Sequence, residues 1–335
     1  MTSGEERAVM PMALPERPMR PTRTIRPRRP GALGDRAYHV LLTLLGGAIL
    51  LVAGVIVLAC SRLSRPAFAR LGVLHFLGGT DWNPVEDSFG ALPFIYGTVV
   101  TSTVGLVVAL PVAVGLGLFL TEFAPPALRR AVSFLVELLA AIPSVVYGLW
   151  GLFVLVPLVR EQVGPALVRT LGFLPLFEGP PLGVGYLTAG LLLAIMILPT
   201  ITAVSVEVLR TAPTTLREGA LALGATRWEA IRMAVLPYAR SGIAGAAVLG
   251  LGRALGETMA VTMVLGNQPE IHASLLAPGY SLPAVIANEF AEATGEVHVG
   301  ALAGLALTLL GVTVLLNAVA RFLIGSRAGR QAAAS

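Results

Sequence analysis

The sequence predicts an all-α integral membrane protein with six transmembrane helices, and three observations predict it. Its 335 residues are 55% hydrophobic and only 13% charged, with a mean hydropathy of +0.80; a soluble domain would carry about a quarter of its residues as charges. The charges crowd into the ends and a few loops, which leaves six apolar runs long enough to cross hydrocarbon as helices. The arginines, finally, are shared unevenly among the segments between those runs.

Residues 1–37 are rich in Arg and Pro (Arg17, Arg20, Arg23, Arg26, Arg28, Arg29) and have no apolar period. They read as a disordered basic tail on the anionic cytoplasmic leaflet, so membrane lipid is an expected partner. No aromatic residues interleave with the arginines, and nucleic acid is not expected. The next segment, 38–94, holds the first span, Tyr38–Cys60, and an external loop. Leu58-Ala59-Cys60-Ser61 after basic residues looks like a lipoprotein signal, but an apolar run of about 23 residues exceeds the roughly 7–15 of a signal core. Five further spans fall within 95–325: Ile95–Thr121, Phe134–Leu158, Val184–Val206, Ala239–Gly266 and Val299–Ile324. A short cytoplasmic tail, 326–335, closes the chain. Pro111, Pro143 and Pro199 lie inside spans and are expected to kink them. With the N-terminus inside, eighteen arginines are cytoplasmic and five external, which places both termini in the cytoplasm.

Composition also excludes chemistries. All 24 basic residues are arginine. Without lysine there is no Walker-type phosphate loop and no Schiff base, so any ATP hydrolysis belongs to another polypeptide. Cys60 stands alone, which rules out an intrachain disulfide or a thiolate metal site. His39, His75, His272 and His298 are scattered without ligand spacing, so neither metal nor cofactor is expected. The spans bring together no Ser/His/Asp set or paired carboxylates, and no catalytic residues are assigned.

The loop from Glu207 to Tyr238 carries the densest local signals. Thr215-Leu-Arg-Glu218 has the spacing of a capping box, starting a short helix over Leu216–Leu223 that Gly224 stops in left-handed conformation. Thr226-Arg-Trp-Glu229 is a second box, and its helix is expected to end before Pro237. The two short helices would form a rigid elbow. Within the fifth span, Arg253 and Glu257 are four residues apart and could pair on one helical face, although arginine before glutamate is the weaker order. A structural ion pair and a role on a substrate path both stay open, since a charge at that depth costs about 3 kcal/mol and should face a watery cavity or a bundle interior. Gly242, Gly245, Gly250, Gly252 and Gly256 stripe the same span and suit close helix packing. Glu137 reads as an interfacial carboxylate or part of a gate, and Asp81, Glu86, Asp87, Glu270, Glu289, Glu292 and Glu296 make the outer face acidic.

Glu218-Gly219-Ala220-Leu-Ala-Leu-Gly224, followed by Leu236-Pro237, resembles the EAA loop of ABC-importer permeases, with Gly219 in place of the first alanine and Ala234 where isoleucine is usual. That resemblance implies a coupling helix that docks on an ATPase. Three passages are more specific. Trp82-Asn-Pro84 with Phe89-Gly-Ala-Leu-Pro-Phe-Ile-Tyr-Gly97-Thr98, the run Glu137–Gly151 containing Ala141-Ile-Pro143-Ser144, and Gly252-Arg253-Ala-Leu-Gly256-Glu257-Thr258 resemble phosphate-specific permeases of the PstC type. The similarity covers residues 36–325. It implies a type I importer core in spans two to six, with an extra N-terminal span. The implied activity is import of inorganic phosphate across a bacterial inner membrane by alternating access, without covalent chemistry in this chain. Arg253 and Glu257 would move the anion, and an arginine fork suits a tetrahedral oxyanion. Implied partners are a second homologous permease, a homodimeric cytoplasmic ATPase and a periplasmic phosphate-binding protein, whose docking would suit an acidic outer face. Two rivals remain at this point, a permease for molybdate or sulfate and a scaffold that senses phosphate status.

Overall fold

Hydrocarbon offers no partner to a backbone N–H, so each long apolar run closes its hydrogen bonds within itself and forms a helix. A computed structural model describes residues 32–332, with side-chain surroundings for 36–322; the expected basic tail lies almost wholly outside the described residues. Among these, six helices are long and apolar enough to cross a membrane. The chain divides into two units, residues 1–54 and 55–335. The first holds the opening half of α1 (Ala32–Leu63), and its side chains from residue 36 onward are exposed.

In the second unit, α1 is followed by two short helices, α2 (Arg65–Leu71) and α3 (Val73–Gly78), and by a hairpin of β1 (Trp82–Asn83) and β2 (Ser88–Phe89). The strands pair antiparallel, Trp82 opposite Phe89. Then come α4 (Leu92–Phe123), α5 (Pro126–Ala141), α6 (Ser144–Leu171), α7 (Tyr186–Arg210), α8 (Thr214–Ala222), α9 (Arg227–Leu255), α10 (Met259–Leu265), α11 (Leu282–Glu289) and α12 (Glu296–Ala332). α7 is the central post, with 67% of its apolar window buried against 33% for α4 and 28% for α9. Its packing against α4 is close because small residues face each other. A Cβ on Gly190 would sit 2.4 Å from Val104 Cγ1, and one on Gly105 3.0 Å from Leu193 Cβ. The main core gathers Ala109, Tyr147, Leu155, Leu192, Ile197, Ala246, Ala260 and Val264 from α4, α6, α7, α9 and α10. A second cluster, around Phe76, Phe89, Phe94, Tyr280 and Leu302, closes the hairpin end of the bundle.

Two expected spans are not single helices. The third, Phe134–Leu158, breaks at Ile142–Pro143: α5 ends at Ala141, and Pro143 is the residue that caps α6 rather than a kink inside a helix. Proline pushes its predecessor out of the helical region, and Ile142 is extended at φ −68°, ψ 129°. The fifth, Ala239–Gly266, breaks at Gly256 into α9 and α10. Pro111 and Pro199 do lie inside helices, as expected.

Pro237 does not end the second elbow helix, which runs on through it to Leu255. Three π turns, Gly151–Leu155, Val159–Val163 and Ile231–Val235, each stop two residues before a proline, namely Pro157, Pro165 and Pro237. A proline leaves the carbonyl four residues back without its donor and crowds it. In each case the residue just before the proline donates to the carbonyl five residues back, Val156 to Gly151, Gly164 to Val159 and Leu236 to Ile231. The helix is therefore already widened where it meets the ring and runs on past it.

Candidate functional site

The second and third resemblance passages meet at the two helix breaks. At the first, Tyr147 is buried in α6, and its hydroxyl donates to the Leu139 carbonyl of α5 at 2.8 Å, tying the two helices across Pro143. The next residue, Gly148, lies against α10; a Cβ there would meet Met263 Sδ at 2.6 Å and Ala260 Cα at 3.1 Å. Contact that close brings the α5–α6 break beside the break between α9 and α10. At the second break, the ends freed by Gly256 are met locally. The Thr258 hydroxyl donates to the Gly256 carbonyl at 3.3 Å, and Glu257 Oε1 accepts from the Ala260 N–H at 3.4 Å.

Arg253 sits in the last turn of α9 and is exposed. The expected pairing with Glu257 on one helical face does not occur. Gly256 ends the helix between them, so the four-residue register is lost, and Glu257 turns toward the start of α10. Among the described residues no carboxylate lies within 4.0 Å of the Arg253 guanidinium. The glycines of α9 divide between two faces. Gly242 and Gly250 pack against Val208 and Ile201 of α7, whereas Gly245 has no packing neighbour, Gly256 has only the Gly252 carbonyl of its own helix, 3.8 Å from where a Cβ would stand, and Gly252 only the Asn317 amide of α12, at 4.0 Å. Ser241, Gly245, Leu249 and Arg253, spaced by four, form one exposed row with a single charge.

The elbow lies at the opposite end from the hairpin. Its first capping box does not form: α8 begins at Thr214 behind Pro213, so Thr215 is already helical and has no free amide to serve. Gly224 does stop α8 at φ +88°. The Ala225 N–H reaches the Ala220 carbonyl at 3.1 Å and the Gly224 N–H the Leu221 carbonyl at 3.0 Å, the paired bonds of a Schellman turn. The second box is complete, with Thr226 N donating to Glu229 Oε2 at 2.7 Å and Glu229 N to Thr226 Oγ1 at 3.3 Å. Glu218 and Gly219 are exposed, Ala220 is half-buried, Leu236 packs into a small core with Leu209 and Val235, and Pro237 is exposed. Leu223 at the apex is 91% exposed and Trp228 55%.

Sequence reasoning missed an ion pair beneath this elbow, in which Arg217 Nη2 lies 2.6 Å from Glu122 Oε1 at the end of α4. No local pattern links residues so far apart in the chain. At the hairpin end the acidic face is partly neutralised. Asp87 binds Arg70 at 2.5 Å, and Glu289 accepts from Trp82 Nε1 at 2.9 Å while lying 3.1 Å from His298 Nε2. Asp81, Glu86, Glu270 and His272 still border an open cavity of about 690 Å³ there. Glu137 is exposed on α5.

The family model for the binding-protein-dependent transport system inner membrane component matches residues 113–326. The chain is 44% identical to the phosphate transport system permease protein PstC of Mesorhizobium japonicum over 297 residues, covering 88% of this chain and 90% of that one. It is 46% identical to the PstC of Xylella fastidiosa (strain Temecula1), covering 88% and 91%, and 39% identical to PstC 2 of Mycobacterium tuberculosis, covering 89% and 94%. In fold it is similar to a chain in the crystal structure of a bacterial alginate ABC transporter complexed with an alginate-bound periplasmic protein, with a TM-score of 0.56 at 17% identity over 87% of this chain and 96% of that one.

Proposed function

The chain belongs to the binding-protein-dependent inner membrane transport components and, among them, to the PstC phosphate permeases, and from that premise we propose that phosphate passes this permease subunit at the paired helix breaks, with Arg253 as its contact and Glu257 beside it. The protein is a multi-pass inner-membrane permease subunit of a phosphate importer, built on the ABC-importer permease fold. One observation carries the reading. Arg253 stands at the broken end of α9 with no carboxylate of the described residues within 4.0 Å. An unpaired guanidinium at that depth is costly in lipid, about 3 kcal/mol, and finds compensation when an anion or a watery path faces it. Its planar donors match phosphate oxygens.

In the full reading, residues 95–325 form the permease core, residues 38–94 add the accessory first span and its loop, and residues 1–37 and 326–335 are cytoplasmic tails. The exposed row from Ser241 to Arg253 faces a second, homologous permease, so the path runs between the two chains. Glu218, Gly219, Ala220 and Gly224 present α8 to a homodimeric ATPase, which hydrolyses the ATP, while Leu236, with Pro237 beside it, holds α9 to the elbow where the helix leaves it. A periplasmic phosphate-binding protein delivers its cargo at the hairpin end, where acidic side chains repel free anion and favour a docked carrier. Both termini are cytoplasmic.

The test is radiolabelled phosphate uptake by the whole complex in proteoliposomes, wild type against Arg253→Gln. We expect ATP-dependent uptake to fall at least about tenfold, the scale of losing one charged hydrogen-bonding partner, with assembly and ATPase binding intact. Unchanged uptake would remove Arg253 from the path.

A further inference from the structure

We propose that Arg217 and Glu122 form a strut that carries the displacement of α8 into α4, and so turns ATPase motion into opening of the phosphate path. The proposal rests on the reading that α8 docks the ATPase. Arg217 projects from the middle of α8, and its Nη2 meets Glu122 Oε1 at 2.6 Å with the two side chains 25% and 12% exposed. The same Nη2 lies 3.3 Å from the Leu209 carbonyl near the end of α7. One guanidinium thus touches the ends of both central helices. Its Nε is buried without a partner, which leaves Glu122 as the one carboxylate it pairs with among the described residues.

The receiving end is built to take a load. Glu122 sits in the π turn Phe119–Phe123 that finishes α4. Arg129 Nη2 reaches the Thr121 and Ala124 carbonyls on either side of it, each at 3.4 Å, and fixes that turn to α5. A Cβ on Gly117, one turn earlier, would lie 3.3 Å from Ser205 Cβ of α7, so α4 cannot shift there without α7. A half-buried, charge-assisted bond is short and directional and leaves a stranded charge when broken. A push on α8 therefore reaches the α4–α7 core by a stiff route, whereas the Gly224 turn on its other side is a single left-handed residue.

Glu122→Gln, Arg217→Gln and the double variant are reconstituted with their partner subunits, and phosphate taken up per ATP hydrolysed is measured alongside retention of the ATPase on the purified complex. Each single change should lower that ratio about three- to tenfold, and the double should be no worse than the poorer single, because one strut is cut only once. An unchanged ratio in the singles, or losses that multiply in the double, overturns the proposal. If the neutral variants do not accumulate, the exchanged pair Glu122→Arg with Arg217→Glu decides: recovery of about half the wild-type ratio supports the strut by the logic of a double-mutant cycle, and no recovery in an intact complex refutes it. Leu223→Asp probes the docking reading separately. Full ATPase retention there removes docking and the strut with it; lost retention beside an unchanged Glu122→Gln ratio removes the strut alone.

Discussion

At the scale of single residues, the proposed site turns on one arginine that has no salt-bridge partner among the described residues. Arg253 was legible in the sequence because a charge inside an apolar run has few reasons to be there. Its relation to Glu257 was not, since glycine in such a run serves equally as a packing residue and as a helix stop. Gly250 proves to be the first, packed against Ile201, and Gly256 the second, capping α9. The distinction has a measurable outcome. Were the two charges a structural pair, neutralising both would undo part of the damage of neutralising one. Because they are apart, we expect Arg253→Gln/Glu257→Gln to be at least as defective in uptake as Arg253→Gln, with no recovery of assembly; a double variant that transports better than the single would restore the ion pair.

Among the elements, local chemistry was readable where the interacting groups are neighbours in the chain. The Thr226–Glu229 box forms as its spacing requires, and Gly224 adopts positive φ as a stop at that point requires. The Thr215–Glu218 box fails although its letters are the same, because the helix starts two residues early behind Pro213 and takes Thr215 into its first turn. The π turns before Pro157, Pro165 and Pro237 were out of reach of a rule that treats proline as a helix end. Caps of this kind are worth about 1 kcal/mol each. Thr226→Ala should therefore raise amide hydrogen exchange through Arg227–Ala230 by roughly fivefold, while exchange in α7 stays unchanged. Gly224→Ala, forced into a left-handed conformation at a cost of about 1–2 kcal/mol, should loosen the end of α8 and weaken retention of the ATPase. Equal protection in wild type and Thr226→Ala would mean that the elbow holds its shape by other contacts.

For the molecule as a whole, the number of spans followed from hydropathy, and their neighbours did not. Which helices touch is decided by small residues meeting across α4 and α7 and by the Arg217–Glu122 pair, whose members are far apart in the chain. Orientation rests on the arginine bias alone and is open to direct measurement. With Cys60 replaced by Ser, a cysteine at Val85, 93% exposed in the hairpin turn, should react with an impermeant thiol reagent in intact cells. One at Leu223, 91% exposed on the elbow, should react only after the membrane is opened; the reverse pattern would invert the topology. The exposed row that ends at Arg253 bears on the life of the chain before it is assembled. A newly made copy with no companion would hold the Arg253 guanidinium toward lipid, at a cost of about 3 kcal/mol. Whatever covers that row in the assembled complex would lift the cost of holding a guanidinium against hydrocarbon. The same four exposed positions that would line a path thus also tie the comfort of this subunit in the membrane to its being accompanied.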